Sequence, residues 1–216
     1  MLIISVKRGR WRNKGGIESG DKEFHARRPQ AISRDGGRCK FCSVKLEKMH
    51  VHHKDDDHDH NSLPNLWTAD ELCHAVCHVG LLGKSGSITY LPAMSQEDIS
   101  HLTRAIIVVI ARGGKDADDA RQLARYLIAK FSEPVTSTFG SCNPAEFGNA
   151  LLQLSDSSYN SRVTTMKDMR VLFNVDVLSK SAGSIAKVLY PKSQDDIVGD
   201  WQRIAEDIDA KAGMQA

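Results

Sequence analysis

The sequence has no apolar run long enough to cross a membrane. The longest, Ala105 to Ala111, is far shorter than the roughly 20 residues that a membrane helix needs. The first ten residues place their basic side chains after the apolar ones, the reverse of a secretory signal peptide. A phosphate-binding loop, a dinucleotide-binding fingerprint and a Ser/His/Asp arrangement are all missing, and the stretch from Gly83 to Gly86 predicts only a turn. These absences predict a cytosolic protein and argue against those enzyme classes.

The composition excludes disordered, collagen-like and repeat-array proteins. Hydrophobic residues make up 41 % and charged residues 26 % of the 216 residues, which is ordinary for one large or two small globular domains. The charge is uneven, because residues 1–50 contain 13 Lys and Arg against 5 Asp and Glu, whereas residues 51–75 contain one Lys against six acidic residues. A basic region beside an acidic, His-rich one fits a nucleic-acid or acidic partner, and it fits a solvated surface equally well.

Four of the five cysteines form two close pairs, which in a cytosolic protein indicates a metal site more often than disulfides. The pairs are Cys39 with Cys42 and Cys73 with Cys77, and Cys142 stands alone as a small core residue. A C-x-x-C turn and a C-x-x-x-C helical turn can both hold tetrahedral zinc, so we predict a structural Zn²⁺ on these four cysteines. His74 or His78 in place of Cys77 is an alternative, and so are buried thiols without a metal. Such a site contributes on the order of 10 kcal/mol to folding.

The segment between the cysteine pairs carries a histidine pair, His52 and His53, followed by Asn65 and, after the second pair, His78. In this order the residues resemble the HNH nuclease (ββα-metal) module over roughly residues 30 to 80. The resemblance implies that His52 and His78 bind a divalent cation, that His53 is the general base and that Asn65 orients it. Lys54 and the acidic loop from Asp55 to His60 depart from the family pattern. We expect the remaining histidines of this segment to lie in an exposed polar loop, namely His50, His58 and His60.

The rest of the chain predicts short strands first and helices later. Strands are expected at Leu2 to Val6, near Trp11 and at Ser87 to Leu91, with turns between the first two at Gly15, Gly16 and Gly20. Helices are expected from Ser95 to Gly113, from Asp116 to Phe131 with Leu123, Ala124, Tyr126 and Leu127 inward, after Asn143-Pro144, and from Met166 to Phe173. A last helix carries an apolar stripe that either docks on its own domain or binds a partner through Trp201; the stripe is Ile197, Trp201, Ile204 and Ile208.

These elements predict an α+β fold in two parts. Residues 1–92 hold small N-terminal strands and the HNH-like zinc module, and residues 93–216 form a mainly helical region that packs on the module and binds partners.

Two stretches outside the zinc module extend a second resemblance over nearly the full length. They are Ile88 to Gln96, with the sequence ITYLPAMSQ, and Phe139 to Gly148, with the sequence FGSCNPAEFG. Together with the cysteine and histidine pattern they are similar to the IcmJ/DotN family of type IVB secretion and conjugative transfer systems. The family implies a cytosolic component of the type IV coupling complex at the inner membrane. Its members bind the C-terminal extension of the coupling ATPase, beside other subunits, and help present substrates, with an HNH-like zinc fold and no established nuclease role.

Two hypotheses therefore stand. The first is a zinc-stabilised, non-catalytic coupling-complex component, for which nucleic acid is not the main ligand. The second is an active HNH endonuclease that uses His52, His53, Asn65 and His78 with a divalent metal.

Overall fold

The computed structural model describes residues 2–8 and 17–178, with side chains from residue 22 onward inside the first helix. Its helices are α1 (Ile17–Arg34), α2 (Glu71–Cys77), α3 (Gln96–Arg112), α4 (Asp116–Phe139), α5 (Pro144–Gln153), α6 (Asp156–Asn160), α7 (Arg162–Thr165) and α8 (Val175–Leu178). Its strands are β1 (His50–His53), β2 (Leu66–Ala69), β3 (Gly86–Tyr90) and β4 (Met169–Phe173). The fold is α+β, with two small antiparallel strand pairs and a mostly helical second half.

The first half consists of a β-hairpin that α1 and α2 cover. β1 and β2 pair antiparallel, with His52 opposite Trp67 and His53 opposite Leu66. Asp70 ends the hairpin and caps α2, because its carboxylate accepts hydrogen bonds from the backbone N–H groups of Leu72 and Cys73. The hairpin and α2 therefore hold the histidines and cysteines of this half in fixed relative positions.

The second half is built on the β3–β4 pair, against which α3 and α4 pack. Ser95 and Asp98 form the capping box of α3 that the sequence predicts, and the helix ends at Gly113 as expected. Gln96 is buried and acts as an additional partner for β4, since its amide donates to the carbonyl of Val171 and accepts from the N–H of the same residue. This side chain fixes the start of α3 on the sheet.

The main core joins both halves of the chain. Buried residues from the first half, including Ile4, Cys39 and Cys73, lie in one cluster with Val171 and Phe173 of β4. Hydrophobic packing is thus continuous across residue 92, where the sequence suggests a boundary. No helix among the described residues is long and apolar enough to cross a membrane.

Several predicted elements differ from the structure. Met166 to Phe173 is not a helix, because residues 169–173 form β4, an apolar strand buried on both faces that periodicity alone confuses with a buried helix. Leu2 to Val6 pairs with no strand in the described part of the chain; Ser5 instead exchanges single backbone hydrogen bonds with Val76 and Val79.

The remaining differences concern helix length and orientation. α1 runs through Gly20, where a turn is predicted, and α4 continues past Phe131 to Phe139. Of the α4 side chains predicted to face inward, Ala124 is buried, but Leu123 and Tyr126 are exposed. The predicted strand at Trp11 and the predicted last helix with Ile197, Trp201, Ile204 and Ile208 lie outside the described residues.

Candidate functional site

Four buried side chains at the start of α2 and in the turn after α1 lie close enough to hold a metal ion. Their ligand atoms all lie within 4.8 Å of one another, and we call them the thiolate cluster: Cys39, Cys42, Asp70 and Cys73. The turn that carries the first two follows Gly36 and Gly37, whose φ angles of 62° and 67° favour glycine. Three thiol groups and one carboxylate, all withdrawn from water, are a donor set that suits Zn²⁺.

Asp70 occupies the position for which the sequence predicts a fourth sulfur ligand. It precedes Cys73 by three residues, the same spacing that separates Cys39 from Cys42. Because both pairs have a short x-x spacer, each can direct two ligand atoms to one point. This D-x-x-C spacing is the signal that could have identified Asp70 from the sequence.

Cys77 does not join the thiolate cluster. It lies one helical turn beyond Cys73 on α2, where it is buried and its backbone carbonyl accepts a hydrogen bond from the Ser5 hydroxyl. Burial raises the pKa of the Cys77 thiol well above its usual value. The fourth cysteine of the predicted ligand set therefore sits in the core as a neutral thiol, and Cys142 is half-buried at the edge of the same core.

The thiols of the cluster interact with one another strongly. Hydrogen bonds from the Cys39 and Cys73 thiols lower the pKa of Cys42 to about 4. The hydrogen bonds that Cys73 makes with Cys39 and with Cys42 raise the pKa of Cys73. A cluster that already stabilises one thiolate is prepared for a cation, since the thiolate is the form that binds a metal.

A second group, the histidine trio, consists of His52, His74 and His78. His52 is on β1, His74 is on α2 and His78 directly follows α2 as its C-cap, and one ring nitrogen from each lies within 4.8 Å of the others. Burial lowers the pKa of each imidazole to about 3, so all three are neutral at pH 7. The Nδ1 of His52 and both ring nitrogens of His78 are buried without a hydrogen-bond partner. Neutral imidazoles with unused lone pairs are suitable metal ligands.

The ring of His53, the base that the HNH resemblance implies, is enclosed. It is only 2 % exposed and stacks on Phe24 of α1, with ring centroids 5.3 Å apart. Its Nε2 lies 2.8 Å from the side-chain oxygen of Asn61. Burial also lowers its pKa. In this arrangement His53 is covered by a helix and engaged by an amide.

Asn65, which the resemblance assigns to orienting His53, holds the acidic loop instead. Its amide donates to the Asp55 carboxylate and to the backbone carbonyl of His60, each at 2.8 Å. Asn61 takes the position beside His53, and no spacing in the sequence distinguishes it from its polar neighbours. The asparagine that contacts the second histidine is thus Asn61.

His58 differs from the exposed loop residue that the sequence predicts. Its ring lies between those of His53 and His78, with centroid distances of 4.4 and 5.3 Å. Burial lowers its pKa to about 2. His60 is exposed as predicted, and His50 is half-buried and stacks on His74.

Asp56 connects the histidine trio to the second half of the chain. The carboxylate is buried, lies 3.5 Å from the Nε2 of His52, and accepts hydrogen bonds from Ser5, Tyr159 and Arg162. Because desolvation outweighs these bonds, the pKa of Asp56 is raised. A carboxylate behind a histidine fixes the orientation of the ring, as in many metal sites.

Comparison with known proteins adds no family to this picture. No family model matches the sequence, and a search of curated proteins finds no match. The function of the thiolate cluster and the histidine trio is therefore inferred from their geometry and from the resemblance that the sequence motifs carry.

Proposed function

We propose that this chain is a zinc-stabilised, non-catalytic component of a type IV coupling complex. It would bind the C-terminal extension of the coupling ATPase and help to recruit substrates, as the IcmJ/DotN resemblance implies. The observation that carries the non-catalytic part is the enclosure of His53, which is 2 % exposed. The partner assignment rests on the two sequence stretches outside the zinc module.

The proposal includes an HNH-like ββα module in the first half. It is supported by the order β1, β2, α2, with His52 and His53 on the first strand, His74 on the helix and His78 directly after it. It is also supported by the thiolate cluster, which joins the base of α2 to the turn after α1. Zinc at the thiolate cluster would stabilise the contact between the turn after α1 and the start of α2.

The lack of catalysis is supported by access as well as by chemistry. A general base must come within about 2.6–3.2 Å of the proton that it removes, either directly or through one water. His53 lies under Phe24 and beside Asn61, and the loop in front of it carries Asp55, Asp57 and Asp59. Both the covering ring and the negative loop oppose the approach of a phosphate backbone.

The two sequence stretches that carry the family resemblance contribute to packing. Gln96 is the last residue of the first stretch and bonds to β4, and Gly148 is the last residue of the second and lies against Gly80 in the turn that follows α2. These contacts give each stretch a packing role in this chain, and the family assignment itself rests on the sequence of the two stretches.

Genetic complementation tests the proposal. In a strain that lacks this gene, the full chain with His53→Ala is expected to restore transfer to the wild-type level. Replacing Cys39, Cys42 and Cys73 together by Ser removes all three thiolates and is expected to lose transfer with the fold. Tagged full chain should capture the coupling ATPase from solubilised membranes, but not an ATPase whose C-terminal extension has been removed. Failure of His53→Ala alone, in a folded protein that still captures the ATPase, would contradict the non-catalytic assignment.

A second candidate function is a metal-dependent endonuclease, which the histidine trio favours. Three neutral imidazoles, from β1, from α2 and from the residue that ends α2, fit a divalent cation, and such a cation would polarise a phosphate and lower the pKa of a bound water. For this function α1 would have to move away from His53. A nicking assay separates the two candidates and is described at the end of the Discussion.

A further inference from the structure

One positively charged side chain from the second half of the chain reaches the thiolate cluster. Arg104 on α3 is 2 % exposed, and its guanidinium donates to Asp70 Oδ1 at 2.6 Å and to Cys42 Sγ at 3.2 Å. Neither of these two bonds contributes to α3 itself. Burying an arginine costs free energy unless partners such as these compensate its charge. Two features of the thiolate cluster explain why Arg104 is buried here.

The first feature is the negative charge that the thiolate cluster would carry with a metal bound. Three thiolates and one carboxylate around a dication leave two net negative charges in a site where all four residues are buried. The guanidinium offsets one of them at hydrogen-bond distance. It keeps its charge at any relevant pH, because an arginine side chain is not deprotonated in proteins.

The second feature is the way in which the two carboxylate oxygens of Asp70 are used. Its Oδ1 accepts bonds from Arg104 and from the N–H groups of Leu72 and Cys73. Its Oδ2 is left facing Cys42 Sγ at 3.2 Å. One oxygen is thus fully occupied by the protein, and the other is directed into the cluster.

We propose that Arg104 is a positioning residue for the metal of the thiolate cluster. It holds Asp70 as the fourth ligand through Oδ1, leaves Oδ2 for the metal and offsets the negative charge of the site. The inference rests on the zinc site of the proposed function. It also makes α3, and with it the helical half, part of the metal site's outer shell.

The test measures metal binding by the full chain. Zinc affinity is determined by competition with a chromophoric chelator, and Co²⁺ absorption reports the ligand set. Arg104→Met is expected to weaken zinc binding by roughly 10–100-fold, the usual effect of removing an outer-shell partner. Arg104→Lys should restore part of this loss. Arg125→Met, which removes a surface pair with Asp176, is the control and should bind as the wild type does.

Asp70→Asn separates positioning from a purely structural role. Asparagine caps a helix as well as aspartate does, so α2 should persist while the anionic ligand is lost. The Co²⁺ d–d bands should shift in both Asp70→Asn and Arg104→Met, and the two losses of zinc affinity should not add in the double variant. A structural role alone would leave the d–d bands of a folded variant unchanged.

The outcomes distinguish the two proposals. Wild-type affinity and spectrum in Arg104→Lys and Arg104→Met, or additive losses with Asp70→Asn, would overturn the role of Arg104 and leave the zinc site intact. Wild-type protein without a thiolate-to-cobalt charge-transfer band would overturn the zinc site itself. If Arg104→Met does not fold even with excess zinc, the Arg104→Lys and Asp70→Asn spectra decide, and unchanged bands in both would count against the proposal.

Discussion

At the scale of single residues, Cys73 and Cys77 are the clearest contrast in the molecule. Both are buried cysteines on α2, but only Cys73 lies in the thiolate cluster. The turn between them moves Cys77 out of reach of Cys39 and Cys42 and puts it beside Ser5. Three of the four cysteines in the predicted ligand set lie close enough to hold a metal ion, and Asp70 rather than Cys77 lies beside them.

Cobalt spectroscopy of two serine variants tests this contrast. Cys42→Ser is expected to reduce the thiolate-to-cobalt charge-transfer intensity by about one third, because one of three thiolates is lost. Cys77→Ser is expected to leave the intensity unchanged. A loss of intensity in Cys77→Ser, with retention in Asp70→Asn, would show that the four cysteines form the site after all.

The buried histidines predict how stability depends on pH. The pKa values of His52, His74 and His78 are about 3 in the folded chain, against about 6.5 for free imidazole. The unfolded chain therefore binds more protons between those values, so stability falls as the pH drops below 6.5 and the loss is complete near pH 3.

The measurement is the urea midpoint between pH 7.5 and pH 5. His74→Gln should have a shallower fall than the wild type, because one of the contributing imidazoles is removed. Exposed His25→Gln is the matched control and should keep the wild-type slope. Equal slopes in His74→Gln and the wild type would show that His74 is not buried as a neutral imidazole.

At the scale of elements, α5 and the turn that follows α2 approach each other closely. A Cβ atom on Gly148 would lie 2.3 Å from the Cα of Gly80 and 2.7 Å from its backbone nitrogen. These are backbone atoms that no side-chain rotation can move, so only glycine fits at this point of α5.

Gly148→Ala is therefore expected to destabilise the fold by about 2 kcal/mol, because the overpacking outweighs the helix propensity that alanine gains. Asn149→Ala, at the exposed neighbouring position, should change stability by less than about 0.5 kcal/mol. Urea denaturation of both variants measures the difference. An unchanged midpoint in Gly148→Ala would mean that α5 does not lie against this turn.

Elements with local signals could be predicted from the sequence. The first backbone N–H groups of α3 are capped by Ser95 in a capping box with Asp98, and α5 is capped by Asn143 just before Pro144. Because these residues are close in the sequence, α3 and α5 begin where expected. β4 could not be recognised, because its identity depends on pairing with β3, some eighty residues earlier.

The candidate site follows the same division between local and distant contacts. The C-x-x-C spacing and the histidine pair are local and indicate metal ligands, whereas the partners Arg104, Phe24 and Asn61 come from contacts that the sequence does not encode by spacing. The enclosure of His53 in particular arises from α1. This helix contains Gly20 and Pro29 and has little helical periodicity in its apolar residues, so the sequence does not predict it. Fold and ligand types were therefore more predictable than accessibility.

At the scale of the whole molecule, the thiolate cluster lies in the core that joins the two halves. Chelation of the metal is expected to reduce amide protection from hydrogen exchange in α3 as well as in α2, because Arg104 and His101 of α3 bond to Cys42 and Asp70. Hydrogen exchange with and without EDTA measures this. Protection retained in α3 after the metal has been removed from α2 would show that the two halves are stable independently.

The most direct test of the central claim is a plasmid-nicking assay on zinc-quantified protein. Wild-type and His53→Ala chains are compared in EDTA and in Mg²⁺, Mn²⁺ and Ni²⁺. We predict no cleavage by either chain under any of these conditions, because the enclosed His53 cannot reach a phosphate. Metal-dependent cleavage by the wild type that His53→Ala abolishes, with the zinc content unchanged, would contradict the account and establish an HNH endonuclease.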